Sequence, residues 1–321
     1  MEIEQVRAEF LRLRLCDTLD DCVSMLEMYS EYFFKVILNH QNEQHNSIAN
    51  RDAALLNQMM FTKTLHLKKL IENGGVGFIS VDGKEMRPIV DPTIIASLIR
   101  NIFETVGLFN LIYIRAKSAD EKVILYSLWA LSGLKYRQRF GSRATQESSK
   151  ETLQAEQKQI DKLIEKIENT GLYKKLSEGN QRKIKTLIKD REYRLIFNGE
   201  DLKFLSWQDL ASTLGIRGKL FENMYTYFSL YSHPSNVAVF QFEEMFDRKT
   251  EQFKQLTITN FKSCFFLLSC FIADYLILFP SVKRTYDSLP LLDQIMLNFF
   301  NSTARGQEYS INDAWKELGF E

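Results

Sequence analysis

The chain has 321 residues, 45% of them hydrophobic, with 41 Lys and Arg balancing 41 Asp and Glu. That balance excludes a global basic field, so any grip on nucleic acid has to rest on a local patch. With only 14 glycines and 5 prolines, a turn-rich β fold is disfavoured, and one large or two ordinary helical domains with a sizeable core are expected.

The first elements read as helices. The charged stretch from Met1 to Leu15 carries no secretory signal. Cys16, Cys22, Cys264 and Cys270 lack zinc-like C-x-x-C spacing, so reduced thiols in a cytoplasmic protein are expected. Thr18 and Asp21 form a capping arrangement, and Val23, Leu26, Tyr29, Phe33, Val36 and Ile37 follow at three-and-four spacing to about Gln44. A second helix runs from about Arg51 to Glu72 and stops at Gly74-Gly75. A hairpin follows near 76–90, with an Asp82-Gly83 turn and Pro88 marking an edge strand. A lone hairpin is marginal in water, so it should lie against the helices.

Asp91-Pro92 opens a helix that is apolar almost all round and therefore central. Ser118 with Glu121 caps another, to about Phe140. From Gly141 the composition turns charged. Leu153, Ile160 and Ile167 repeat at seven, as in a short coiled-coil-like arm that Gly171 and Gly179 interrupt. Ser206 caps a short helix, Trp207 to Leu214, ahead of the aromatic run Tyr225 to His233. A long helix to Phe279, one from Pro290 to Asn301 and a short one around Ala314 to Leu318 complete the chain. Within the long helix, Ser263 to Phe279 holds Asp274 as its single charge. It reads as a buried core helix, with a membrane segment as the alternative.

Few residues carry chemistry. Arg100 and Glu104 share one face of the apolar central helix, as a structural ion pair or as an anion or acid–base site. Ser229 and His233 share a face of another, and Pro234 drives His233 out of helical geometry to a helix end. That pair is a cap with a back-bonded serine, or an acid–base or phosphate-contacting pair. His40 and His45, with Glu43 between them, lack the i, i+4 spacing of a metal site, and His66 reads as a surface residue. Lys158, Lys162 and Lys166, then Arg182, Lys183, Lys185, Lys189 and Arg191, form basic rows that are solvated faces or phosphate contacts. There is no phosphate loop, dinucleotide fingerprint or H-E-x-x-H motif, and neither a metal nor a cofactor is expected.

The motifs Arg100-Asn-Ile-Phe-Glu104 and Tyr225-Thr-Tyr-Phe-Ser229-Leu-Tyr-Ser-His233-Pro-Ser235 resemble those of a family of helical bacterial proteins akin to HEPN-type domains. The resemblance spans roughly residues 20 to 280 outside the charged arm. It implies an RNA-cutting toxin or antiviral defence effector, in which an Arg four to six residues before a His acts with it on the RNA phosphate. Here no Arg lies between Lys219 and His233, so either Arg100 supplies the charge from a neighbouring helix or the site only binds.

The expected fold is all-α, a mainly helical bundle with one small β-hairpin and an inserted charged arm. Residues 1–140 form the first half of the core, 141–200 the arm and 201–321 the second half. His233, Arg100, Glu104 and Ser229 are expected to converge on one cleft, because each polar pair is costly to bury alone. The expected function is a HEPN-like protein of bacterial stress or anti-phage defence that binds or cuts RNA or a nucleotide as a metal-independent ribonuclease. The alternative is a non-enzymatic interaction subunit, a homo-oligomer or the partner of another protein through the arm, with no membrane association.

Overall fold

A computed structural model describes residues 2–41, 46–141, 145–199, 201–217, 223–244 and 252–319. The helices in chain order are α1 (Ile3–Leu15), α2 (Leu19–His40), α3 (Ile48–Ile71) and α4 (Pro92–Phe109), then α5 (Ala119–Gln138), α6 (Glu147–Glu168), α7 (Gly171–Lys175) and α8 (Glu178–Asp190). The chain continues through α9 (Leu210–Thr213), α10 (Met224–Ser232), α11 (Asn236–Glu244), α12 (Gln252–Leu278), α13 (Lys283–Asp287) and α14 (Leu291–Arg305). Two antiparallel hairpins interrupt the helices, β1 (Val76–Ile79) with β2 (Glu85–Ile89), and β3 (Leu195–Asn198) with β4 (Asp201–Phe204). The fold is therefore mainly α-helical with small β elements. The chain divides into two compact units, Met1–Phe109 with Ala211–Glu321, and Asn110–Leu210.

In the first unit, local chemistry sets the helix starts. Thr18 Oγ1 accepts from the Asp21 amide and Asp21 Oδ2 from the Thr18 amide, both at 3.1 Å, closing a capping box. Asp91 Oδ1 accepts from the amides of Thr93 (2.8 Å) and Ile94 (3.3 Å), so α4 begins where Asp91-Pro92 predicts. α4 packs against α3, α10 and α12, and buries Ile95, Ile99, Ile102, Phe103 and Val106. Each such side chain is worth about 1.5–3 kcal/mol when fully buried.

α12 lies inside the same unit against α2, α4 and α14. Its Asp274 receives two hydrogen bonds from Arg305 of α14, at 2.7 and 3.0 Å, with both side chains almost fully buried. α12 and the stretch Pro92–Ile114 are each long and apolar enough to cross a membrane, but most of each is buried inside the fold. The four cysteines are buried free thiols, and Cys16 and Cys22 lie 3.5 Å apart, sulfur to sulfur.

The first hairpin departs from expectation. It does not lie under the helices: β1 is exposed at every residue, with Phe78 and Ile79 more than half open to solvent. Its base needs glycine. Gly75 has φ +110°, and a Cβ there would stand 2.0 Å from the Ile89 carbonyl oxygen.

The second unit corrects the expected boundary. α5 does not belong to the first half of the core. Its Ile124, Leu128 and Leu131 form one cluster with Ile160 and Ile167 of α6, Ile184 of α8 and Leu195 of β3. Two of the three heptad residues, Ile160 and Ile167, thus face a core of their own, and the unit starts at Asn110, not at 141. The β3–β4 hairpin was not expected either, although Asn198-Gly199 is a turn signal for it. The basic rows lie on the solvated faces of α6 and α8, where Arg182 pairs with Glu178 and Lys185 with Glu168.

Candidate functional site

α4 and α10 are packed neighbours in the first unit, and their polar side chains meet. α10 ends at Ser232 because Pro234 cannot continue a helix. His233 is its C-cap in extended geometry (φ −112°, ψ 152°), its amide held by the Ser229 carbonyl at 3.2 Å. That turn presents the imidazole at the surface, facing Arg100.

Arg100 is the hub. Its Nε donates to Glu104 Oε1 at 3.2 Å, one terminal nitrogen to His233 Nε2 at 3.1 Å and the other to the Tyr225 hydroxyl at 2.6 Å. The guanidinium also lies over the Tyr225 ring, 4.8 Å from its centroid. Three partners in three directions leave the planar fork one orientation. Arg100 cannot accept a hydrogen bond, so His233 Nε2 is the acceptor, and the proton of a neutral ring sits on Nδ1.

Three of the four expected residues thus gather: Arg100, Glu104 and His233. Ser229 does not join them in that role. Its hydroxyl donates to the Tyr225 carbonyl at 2.7 Å, the back-bond of an ordinary helical serine. Tyr225, two turns before His233 on the same helix face, takes its place.

Lys63 of α3 was also missed. Its Nζ donates to Thr105 Oγ1 at 2.6 Å, and Thr105 Oγ1 to the Asn101 carbonyl at 2.8 Å. Burial pushes the Lys63 pKa down to about 8, while the charge of Glu104 works to raise it. Nothing in the sequence separates it from the other lysines of an amphipathic helix. The unfolded chain holds this proton up to the ordinary 10.5, the folded chain only to about 8. Between these values the folded state binds fewer protons, so its stability rises with pH, and the penalty is fully present below about 8. From pH 7 to 10, wild type should gain up to about 3 kcal/mol on Lys63→Met in urea titrations, less where solvent screens the charge. Parallel curves for the two proteins would reject the shifted lysine.

An open groove of about 340 Å³ adjoins His233, between the first turns of α4 (Thr93, Ile94, Ser97) and α11 (Val239, Phe242). Thr93, Ser97, Arg100 and Glu104 fall at i, i+4, i+7 and i+11, one continuous stripe of α4.

The other histidines stand apart. His40 is a core residue, its Nε2 2.7 Å from the Tyr275 hydroxyl and its ring against Phe279. His45 and Glu43 lie outside the described residues. His66 is exposed, with Nδ1 2.7 Å from the Thr62 carbonyl oxygen. Among the described residues no group of three His, Cys, Asp or Glu side chains is placed to hold a metal ion.

Fold and site together define a mainly helical protein with an Arg–Glu–Tyr–His constellation on two facing helices. The chain belongs to a family of unknown function, DUF5677, whose profile matches residues 91–252, just over half of its length. The matched segment contains Arg100, Glu104, Tyr225, His233 and the groove, and leaves out Lys63. Comparison with curated proteins gives no match, and comparison with solved structures gives none.

Proposed function

We propose that the protein is a HEPN-like effector that cleaves RNA at the Arg100/His233 site, in bacterial stress or phage defence. The observation that carries this reading is the 3.1 Å contact of Arg100 with His233 Nε2. The arginine that the four-to-six spacing lacks is supplied in space by α4. Arg100 donates there to a neutral ring nitrogen, and a phosphate oxygen is the stronger acceptor for a guanidinium. An entering phosphodiester therefore takes over that donor and frees Nε2 as a base. His233 then removes the 2′-hydroxyl proton, and the oxygen attacks phosphorus. The bond to the 5′-oxygen breaks, that oxygen takes a proton from water, and the hydroxide so formed takes the proton that His233 holds. The products are a 2′,3′-cyclic phosphate and a 5′-hydroxyl. Glu104 and Tyr225 keep Arg100 aimed at the phosphorane charge.

The test is RNA integrity after expression of wild type and His233→Ala, repeated with purified protein in EDTA. Loss of RNA with wild type alone, ending in cyclic phosphates, is the expected result. Intact RNA in both rejects cleavage.

One observation favours the second reading, a non-enzymatic interaction subunit. Phe78, Ile79 and Val81 on the first hairpin, and Val239 and Phe240 on α11, are large apolar side chains open to solvent. Intact RNA together with self-association in light scattering would support that reading.

A further inference from the structure

His233 belongs to two structures at once. Its Nε2 meets Arg100 at 3.1 Å, and it also lines the groove of about 340 Å³. Ile94, Tyr231, Pro234 and Phe242 give that groove apolar and aromatic walls. Phe242 is 38% exposed, so part of its ring is open to a ligand. Polar groups of both kinds stand in the same lining. Ser97 Oγ and Ser232 Oγ donate their single protons to the Thr93 and Phe228 carbonyls, at 2.9 and 2.7 Å, which leaves the oxygens as acceptors. The Tyr231 hydroxyl and the His233 ring N–H are donors. Such a lining imposes no single pattern on the edge of a ligand.

We propose that the groove is a base-stacking subsite for the nucleotide on the 5′ side of the cleaved phosphate, taking any of the four bases. The inference rests on the reading of Arg100 and His233 as the cleavage site. In that reaction His233 removes the proton of a 2′-hydroxyl. The hydroxyl is on C2′ and the base on C1′, adjacent atoms of one sugar. A sugar held at His233 therefore carries its own base to whatever His233 borders, and His233 borders the groove. The phosphate is in reach at the same time. Ser97, in the lining, and Arg100 are three residues apart on α4, a rise of about 4.5 Å. The two ends of a nucleotide thus find matching chemistry, an anion at the guanidinium and a flat uncharged ring among apolar and aromatic side chains. The volume is at the small end of ligand sites and suits one base with its sugar. Stacking tolerates any sequence, because every base has a π-face. The base on the 3′ side is joined through the departing 5′-oxygen and has no such tether to the groove.

Calorimetry on the full chain would compare the four nucleoside 3′-monophosphates with ribose 3-phosphate, which lacks a base, and with octyl phosphate, whose tail is apolar but not flat. The four nucleotides should bind within about threefold of one another, and each about tenfold tighter than ribose 3-phosphate. Phe242→Ala should erase most of that advantage and Phe242→Trp should keep it, because an exposed ring can be exchanged without loss of the fold. Arg100→Ala should weaken nucleotides and ribose 3-phosphate alike. A deoxy strand with one ribonucleotide tests the position. Removing the base of the ribonucleotide should lower kcat/KM about tenfold, and removing the next base on the 3′ side should leave it unchanged.

Ribose 3-phosphate binding as tightly as the nucleotides overturns the subsite. So does an advantage that survives Phe242→Ala, a preference above about tenfold for one base, or octyl phosphate matching the nucleotides. In each case the phosphate site stands as long as Arg100→Ala weakens ribose 3-phosphate. No binding of any of these phosphates overturns both. Nucleotide binding that depends on Phe242, with no RNA cleavage, keeps the subsite and rejects the nuclease.

Discussion

Asp274→Ala is expected to cost roughly 3–5 kcal/mol and to lower the melting temperature by on the order of 10 °C. Asp274 and Arg305 are the two ends of one buried ion pair, with relative exposures of 2% and 1%. Both carboxylate oxygens receive guanidinium hydrogen bonds, and Arg305 also lies over the Tyr309 ring. Removing the carboxylate leaves a cation in the interior that no water reaches. The surrounding face of α12, with Phe271, Tyr275 and Cys270, offers no substitute charge. The pair itself is worth much less than the loss of one half. The double variant Asp274→Leu with Arg305→Met should therefore recover most of the stability, because two apolar side chains of similar volume need no partner. A thermal melt of the three proteins decides. An Asp274→Ala midpoint within about 2 °C of wild type would mean that the charge is not buried as described.

Arg100→Lys should abolish most of the proposed cleavage while keeping the positive charge. The guanidinium engages Glu104, Tyr225 and His233 from three separate nitrogens. An ammonium is a point charge and cannot hold three such directions in one plane. The expected loss is about 10²–10³-fold in turnover, the usual effect of removing a donor that stabilises developing charge. The fold should survive, because Arg100 and Glu104 are about a fifth to a quarter exposed and water can replace the missing bonds. Single-turnover cleavage of a short RNA, beside a melt, checks both statements. Glu104→Ala should also lower the rate, by loosening Arg100 without touching the substrate. Wild-type turnover in Arg100→Lys would show that only net charge matters and remove the directional role.

The sequence by itself determined what depends on neighbours a few residues away. The capping box of Thr18 and Asp21, the start of α4 at Asp91-Pro92 and the extended cap at His233 before Pro234 all follow from backbone geometry. The mainly helical class follows likewise from three-and-four spacing and scarce glycine. The meeting of Arg100, Glu104 and His233 could be argued from the cost of burying polar pairs in apolar helices, but their order of contact could not. Whether Ser229 or Tyr225 would face Arg100 depends on how α10 is rotated against α4, and that rotation is set by the packing between the two helices, where the Phe103 and Tyr225 rings meet. Lys63 acquires its lowered pKa only because the packing of α3 against α4 buries it, an effect that the charge of nearby Glu104 opposes. Asp274 reads as an isolated cost until Arg305, 31 residues later, folds back onto it. The affiliation of α5 with α6 rather than with the first unit was likewise a tertiary decision. Ile124 and Leu128 are apolar in any setting, and only the competition between two possible cores decides which one they join. The exposed first hairpin shows the same limit, since strand propensity states that β1 and β2 pair but not whether a helix will cover them. Local rules act through covalent geometry and short hydrogen bonds, whereas these outcomes are settled by the packing of side chains far apart in the chain, which only the folded structure brings together.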